Sequence, residues 1–519
     1  MKATGVISML RPSAASLGYA LFLAVNATGV WGGVFPFLPL DFQTPQILFW
    51  FFLAQSATFF ASFLASGLGA YFFPGPTRRL SAVLAGTPYL AGWCCLIAAI
   101  YLDAWALPLV MAGGAFLGLG SAGFYMLWQR LFASRDADRG NRDLIVGTAY
   151  AALFYFLLYT LPKAICAFII PLVFMPLFGL AIVLESRTVD RDQPMFQDIP
   201  REHPRVYRRF IRDYWRSALS VGALGFCAGI MRSLALGDVS MGTLVNVLSM
   251  AGALAMAVVI LALWRFKSLR VNVVSAYRFF FPFVITAFLL LPFLPPVYLR
   301  WLAAVLYALY TAAVMLTMIQ CAQASRDRGI NPVFVYGLFG SVVYALHDVG
   351  FFGGTFLEGI AVLGIPSLAV VALVAVYLLG MMFFIGQGGL RRVLGFDERD
   401  ASIELVALQP APSNAQAVAP AERAKAVEAA PATPDEAPSR PDDLARRAAL
   451  VQRRYRLSAR ETQVMELIAR GNTVARIAEM LVVSENTIRT HSKRIYAKLD
   501  VHKRQELRDL IESTSLDDA

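Results

Sequence analysis

Apolar residues run in blocks of about 20 between residues 14 and 386, separated by short polar breaks. Blocks of that length match the roughly 20 residues an α-helix needs to cross the hydrocarbon layer of a bilayer. The pattern predicts spans near 14–36, 46–71, 80–102, 105–128, 144–162, 164–184, 218–237, 240–264, 272–295, 298–322, 332–353 and 356–386. The first is a full span without a small-residue cleavage site, and so is expected to stay in the mature chain. The pattern then changes twice. From Asp397 to Arg440 the chain turns to Ala, Pro, Glu and Gln, with no aromatic residue between Phe396 and Tyr455. Such a stretch cannot bury enough apolar surface to offset its ordering entropy, so a disordered linker is expected over 397–441. Beyond it, Val464, Leu467 and Ile468, then Ile477 and Leu481, then Ile488, Ile495 and Leu499 recur at helical spacing. The expected fold class is all-α: a polytopic membrane bundle over 1–390 and a four-helix domain over 442–514.

Composition removes the main competitor. With 519 residues at 58% hydrophobic, 16% charged and a mean hydropathy of +0.59, the chain cannot be a string of soluble domains. The five cysteines, Cys94, Cys95, Cys166, Cys227 and Cys321, fall inside apolar blocks and read as packing residues, with no metal spacing. Charge supplies orientation. The alternate loops starting at Arg78 and Arg79 carry 19 Lys and Arg, and the loops between them carry 2, Lys163 and Arg300. The basic side is expected to be cytoplasmic, with both termini there and the chain in the inner membrane. The longest inner loop, 185–217, follows span six and divides the spans six plus six, into halves 14–184 and 218–386.

That layout resembles the major facilitator transporters, whose halves rock around a midplane site. The family usually carries a carboxylate in the loop between spans two and three, whereas Phe72–Thr77 (FFPGPT) has none. An intramembrane charge is costly and is usually kept for function. The first six expected spans hold no carboxylate; the second half offers Arg232, Arg278 and the pair His347 and Asp348. Arg232 and Asp348 share a depth and can pair. One reading makes Arg232 a clamp for an anionic group, with Asn26, Gln55, Trp128, Asn246 and Tyr307 around it. The other makes these charges a structural ion pair or side chains reaching for the interface. Gly113, Gly114, Gly118, Gly120 and Gly123 crowd span four and point to close helix packing or to a hinge.

The C-terminal stretch holds the most specific chemistry. Ser458 with Glu461 forms a capping box, Asn472 or Thr473 opens a second helix, and Ser484 opens a third. A fourth helix is expected from about Lys503 to Ile511. At 100° per residue, Ile488, Ile495 and Leu499 form one buried stripe, while Asn486, Arg489, Thr490 and Lys493 gather on the opposite face. Guanidinium, ammonium, amide and hydroxyl groups on one face suit the acceptors of a major groove. Between Ala445 and Leu510 there are 15 Lys and Arg against 7 Asp and Glu, a basic footprint for phosphate.

The sequence Leu457-Ser458, Arg460-Glu461, Ile468-Ala469, Gly471, Ile477-Ala478, Leu481, Ser484, Thr487-Ile488-Arg489, His491, Ile495, Lys498-Leu499 and Arg504 resembles the LuxR-type (GerE) bacterial DNA-binding domain over nearly its whole length. The resemblance implies a helix-turn-helix that binds double-stranded DNA as a homodimer, with Arg489, Thr490 and Lys493 facing bases and Thr487 and Lys498 taking phosphates. The whole chain is similar to membrane-bound LuxR-type regulators with a twelve-span sensory half. The function expected is a one-component transcriptional regulator whose membrane module senses a small, partly apolar molecule, aromatic or anionic. The alternative is a working transporter with an attached regulatory domain, using His347, Asp348 or Glu358 as its titrating group. Four His, no nucleophile motif, no phosphate-cradling loop and no metal spacing leave no expectation of an enzyme, a cofactor or a metal.

Overall fold

A computed structural model gives the fold. It describes residues 10–27, 42, 44–234, 239–358, 367–386, 403–405 and 441–514, apart from positions 79, 192, 203, 267, 268, 272, 294, 456, 484 and 502. The first half contains α1 (Ala14–Val25), α2 (Pro45–Phe72), α3 (Ala82–Tyr101), α4 (Ala106–Ser134), α5 (Ala137–Thr160) and α6 (Lys163–Ile169), which runs through a π-helical turn at Ile170–Phe174 into α7 (Met175–Ser186). The short α8 (Pro194–Gln197) lies in the long loop. The second half contains α9 (Pro204–Leu234), α10 (Val239–Phe266), α11 (Val273–Leu290), α12 (Pro296–Arg328), α13 (Pro332–Glu358) and α14 (Ser367–Gly386).

Among the described residues, nine helices are long and apolar enough to cross a membrane. Three shorter apolar helices, Ala14–Val25, Ile170–Ser186 and Ala369–Ile385, fall where the first, sixth and twelfth spans are expected. The chain is a multi-pass membrane protein. Residues 28–36 of the first expected span lie outside the described residues.

Within the first half α3 and α2 pack on α4, and α1 packs on α5 and α7; within the second, α9 packs on α13 and α12, and α10 on α12. The seam between halves is made by α2 against α13, α5 against α10, and α4 against α12. Glycine makes the close approaches possible. A Cβ at Gly118 would overlap Thr58 Oγ1 and the Gln55 carbonyl, one at Gly120 would come within 2.7 Å of Tyr89 backbone nitrogen, and one at Gly337 within 2.7 Å of Gly67 nitrogen. The glycines of α4 are therefore packing positions.

Two expectations are corrected. The helix of the fifth expected span, α5, begins at Ala137 rather than 144 and so brings in Asp138 and Asp143, the latter 1% exposed. Arg135 bonds Asp143 with one arm of its guanidinium and Glu185 with the other. A hydropathy window averages across a helix whose first turns are polar and misplaces its start. The expected disordered linker also contains a strand. β2 (Ile403–Leu405) pairs antiparallel with β1 (Leu269–Val271), setting Arg270 opposite Glu404. Ile-Glu-Leu has the two-residue alternation of a strand, which a composition argument over the whole stretch hides. The rest of 397–440 lies outside the described residues. Apart from this ribbon, the described residues are all-α.

The C-terminal domain comprises the four expected helices, α16 (Ala459–Ala469), α17 (Val474–Leu481), α18 (Glu485–Leu499) and α19 (Arg504–Glu512), preceded by a fifth, α15 (Pro441–Tyr455), whose Ala448 and Val451 join the same core. It has its own apolar core, including Val464, Met465, Ile468, Ile477, Ile488, Ile495, Leu507 and Ile511.

Candidate functional site

The C-terminal domain is built by its caps. Ser458 Oγ accepts from Glu461 N at 3.2 Å while Ser458 N donates to Glu461 Oε2 at 2.8 Å, closing the box that starts α16. Thr473, not Asn472, caps α17, its Oγ1 accepting from Arg476 N at 3.3 Å. Ser484 lies outside the described residues. Between α17 and α18 the backbone turns through Val482 at φ 52°, a left-handed conformation that costs a β-branched residue strain. Ile488, Ile495 and Leu499 are buried at 0%, 0% and 3%, as the face analysis requires. Arg489 and Lys493 are exposed on the other side and Thr490 is half-buried. The side chain of Asn486 lies outside the described residues.

Two positions taken as phosphate contacts are engaged elsewhere. Lys498 Nζ sits 2.8 Å from Glu461 Oε2, tying α18 to α16. Burial alone would raise the Glu461 carboxyl, but the Lys498 ammonium and the Ser458 N–H bring it below its ordinary value. Thr487 is only 3% exposed, against the membrane module. Arg504 belongs to the family pattern; its guanidinium donates to the Ile468 carbonyl at 3.1 and 2.9 Å, locking α19 on α16.

The membrane module encloses a cavity of about 110 Å³ between its halves. Asn26 at the C-terminal end of α1, Tyr125 of α4, Thr148 of α5, Asn246 and Ser249 of α10, Tyr307, Tyr310 and Thr311 of α12 and Tyr344 of α13 provide its polar groups. Ser249 Oγ and Thr311 Oγ1 lie 2.6 Å apart and share a hydrogen bond across the wall. Engineered cavities of roughly 150 Å³ accept benzene, so the space seen is on the scale of a single small ring. Of the eight expected ligand residues, Asn26, Asn246 and Tyr307 line the cavity.

The other five do not. Trp128 is wholly buried, stacked on Phe132 at 5.9 Å and edge-on to Tyr19. Arg232 lies over the Phe52 ring at 3.8 Å, with Nη2 3.4 Å from Gln55 Oε1, and Asp348 acts on it electrostatically. His347 Nδ1 is 3.4 Å from Asp348 Oδ1, and the His347 ring stacks on Tyr310, the shared neighbour of cluster and cavity. Thus Arg232 and Gln55 face each other rather than an open clamp. Sequence reasoning missed Tyr125, Thr148, Ser249, Tyr310, Thr311 and Tyr344. Polar Ser and Thr in apolar helices were a usable signal; the tyrosines were not, among 19 Tyr and 38 Phe.

These features define the class: a polytopic helical membrane protein carrying a helix-turn-helix DNA-binding domain. Residues 455–511 match the family described as bacterial regulatory proteins, luxR family, and the C-terminal domain is a LuxR-type helix-turn-helix. A stretch of 51 residues is 45% identical to the uncharacterized response regulatory protein YgeK of Escherichia coli (strain K12), covering 10% of this chain and 35% of that protein. The chain thus spans about a third of that relative's length. The membrane module is similar to a bacterial homologue of the iron transporter ferroportin in an outward-facing state, at 13% identity over 72% of this chain and 98% of that one, with a TM-score of 0.49. It is also similar to the major facilitator superfamily proton:xylose symporter XylE, at 12% identity over 75% and 97%, with a TM-score of 0.44. At these values the architecture rests on the helices themselves.

Proposed function

We propose that this protein is a one-component transcriptional regulator of the inner membrane, with both termini in the cytoplasm. A small molecule binds between the two halves of the membrane module and controls whether the LuxR-type domain dimerises on DNA. The observation that carries the reading is the presence, in one chain, of a mostly apolar cavity with hydroxyl and amide groups between two helical halves and a basic LuxR-type helix-turn-helix domain. A ligand shifts such an equilibrium only by its difference in affinity for the two states. The cavity presents a few hydroxyls and amides within a mostly apolar lining and no charged side chain, so its ligand is a neutral, largely apolar ring compound bearing hydrogen-bonding groups. Asn486, Arg489, Thr490 and Lys493 read bases, while Thr487 and Lys498, once free of their present partners, take phosphates.

The test is retention of genomic fragments by the full chain in lipid discs at low ionic strength, with and without a panel of phenols and related rings. Asn246→Leu should abolish the ligand response with expression unchanged. No retained fragment under any condition, or a reporter fusion placing residue 519 outside the cell, overturns the reading.

A second reading is favoured by the buried Arg232, His347 and Asp348 cluster beside the cavity. It makes the module a working carrier. Uptake of a labelled inducer into vesicles that Asp348→Asn abolishes would select it; saturable binding without flux would not.

A further inference from the structure

We propose that the DNA-binding domain is docked across the seam between the two membrane halves in a state that cannot enter a major groove, and that parting of the seam releases it. This rests on the regulator reading above and adds the device that holds the regulator off.

The contact is made by the turn and one flank of α18. Thr487 and His491, 3% and 5% exposed, face the end of α12, while Arg489 and Lys493 on the same helix stay exposed. At that end Gly329 adopts φ 66°, and a Cβ there would lie 2.6 Å from Thr487 Oγ1 and 3.5 Å from Pro194 Cβ of α8. His491 Nε2 lies 3.4 Å from the Asp327 carbonyl oxygen, to which it can only donate. Burial, then the charges of Arg460 and Arg494, brings the His491 imidazolium down to about 4, against the opposing pull of Glu461 and the Asp327 carbonyl, so the ring is neutral in this contact. Val482, in the strained turn, packs against the apolar core of the membrane module.

The geometry forbids simultaneous DNA binding. A helix with its side chains is about 10–12 Å across, and the major groove is about 12 Å wide. Both flanks of an inserted helix therefore face groove walls, and a flank packed on protein leaves no room for one of them. Thr487, an expected phosphate contact, is on the covered flank.

The docking surface belongs to both halves. Arg326 of α12 donates from Nη1 to the Phe132 carbonyl of α4 at 2.9 Å and from Nη2 to Asn141 Oδ1 of α5 at 3.1 Å. Gln129 Nε2 of α4 donates to the Met318 carbonyl of α12 at 3.3 Å. Between the domain and this seam remains a polar cavity of about 390 Å³, lined by Asp136, Asp138 and Arg139 from the first half, Arg326 from the second, and Ser458 and Lys498 from the domain. Permanent interfaces are more hydrophobic and better filled than this one, which suits it to release. Once the seam parts, the surface that fits α18 no longer exists.

The test uses the full chain in lipid discs, with Gly329→Cys and Thr487→Cys combined and a protease site inserted within 406–440. Under oxidation the two protease fragments should stay joined, and a short mixed-sequence duplex at low ionic strength should be retained roughly tenfold or more less than after reduction. Fragments that never join overturn the docking; joined fragments that retain duplex equally before and after reduction overturn the occlusion. Val482→Gly suits the left-handed turn and removes a docking contact without touching an expected DNA contact. It should raise retention severalfold over the unaltered chain, and unchanged retention overturns the proposal. If fragments join but no form retains duplex, the DNA-binding reading falls, and the release step with it.

Discussion

The two halves of the membrane module meet differently at two levels of α12. Around Tyr307–Val314 they stand apart across a cavity bordered by neutral hydroxyls and amides. Further along, at Met318 and Arg326, they are tied by hydrogen bonds to carbonyls, two of them from a buried guanidinium. Charge-assisted hydrogen bonds are about twice as strong as neutral ones. The middle is therefore the less tightly held level, and the end beneath the DNA-binding domain is the part that resists. A ligand that parts an end held by about 3 kcal/mol must prefer the parted state by roughly a hundredfold.

That contrast can be broken first at the end. Arg326→Ala removes both guanidinium bonds and should cost about 3 kcal/mol. It should lower the thermal midpoint and open Ala133→Cys, a fully buried position near the seam, to a water-soluble thiol reagent. Labelling that stays at the level seen with Arg326 intact would show that the end is not the resistant part. A smaller effect is expected in the middle. Thr311→Val removes the bond to Ser249 and should cost about 1 kcal/mol, with labelling at position 133 unchanged. The smallest effect tests independence. The two positions lie on one helix, about 22 Å apart along its axis, so the stability losses should add within about 0.5 kcal/mol. Ligand-dependent DNA retention should not add, because α12 carries both contacts; additive retention would deny α12 that role.

Legibility in the sequence followed how local each signal is. The C-terminal helices were readable to within a residue or so because caps and buried stripes are local: Ser458 with Glu461, Thr473, and Ile488 with Ile495 and Leu499. The apolar blocks located the membrane helices, but hydropathy could not see that α5 starts in polar residues, and so it missed Asp143. The cavity between the halves was only partly readable. Asn26, Asn246 and Tyr307 reach the cavity, whereas Arg232 attracted attention as a charge and is folded onto Phe52 and Gln55. Which polar groups converge depends on helix rotation about the seam, which one sequence does not encode in any short window. The engagement of Lys498 with Glu461 was hidden for the same reason, since residues far apart in sequence meet there.

The ribbon that pairs Ile403–Leu405 with Leu269–Val271 sets a leash. Thirty-five residues, 406–440, join Leu405 to Pro441, and whatever their conformation they reach no farther than about 120 Å. On the function proposed here, with the domain tethered, a DNA target is readable only while it lies within that radius of the membrane module.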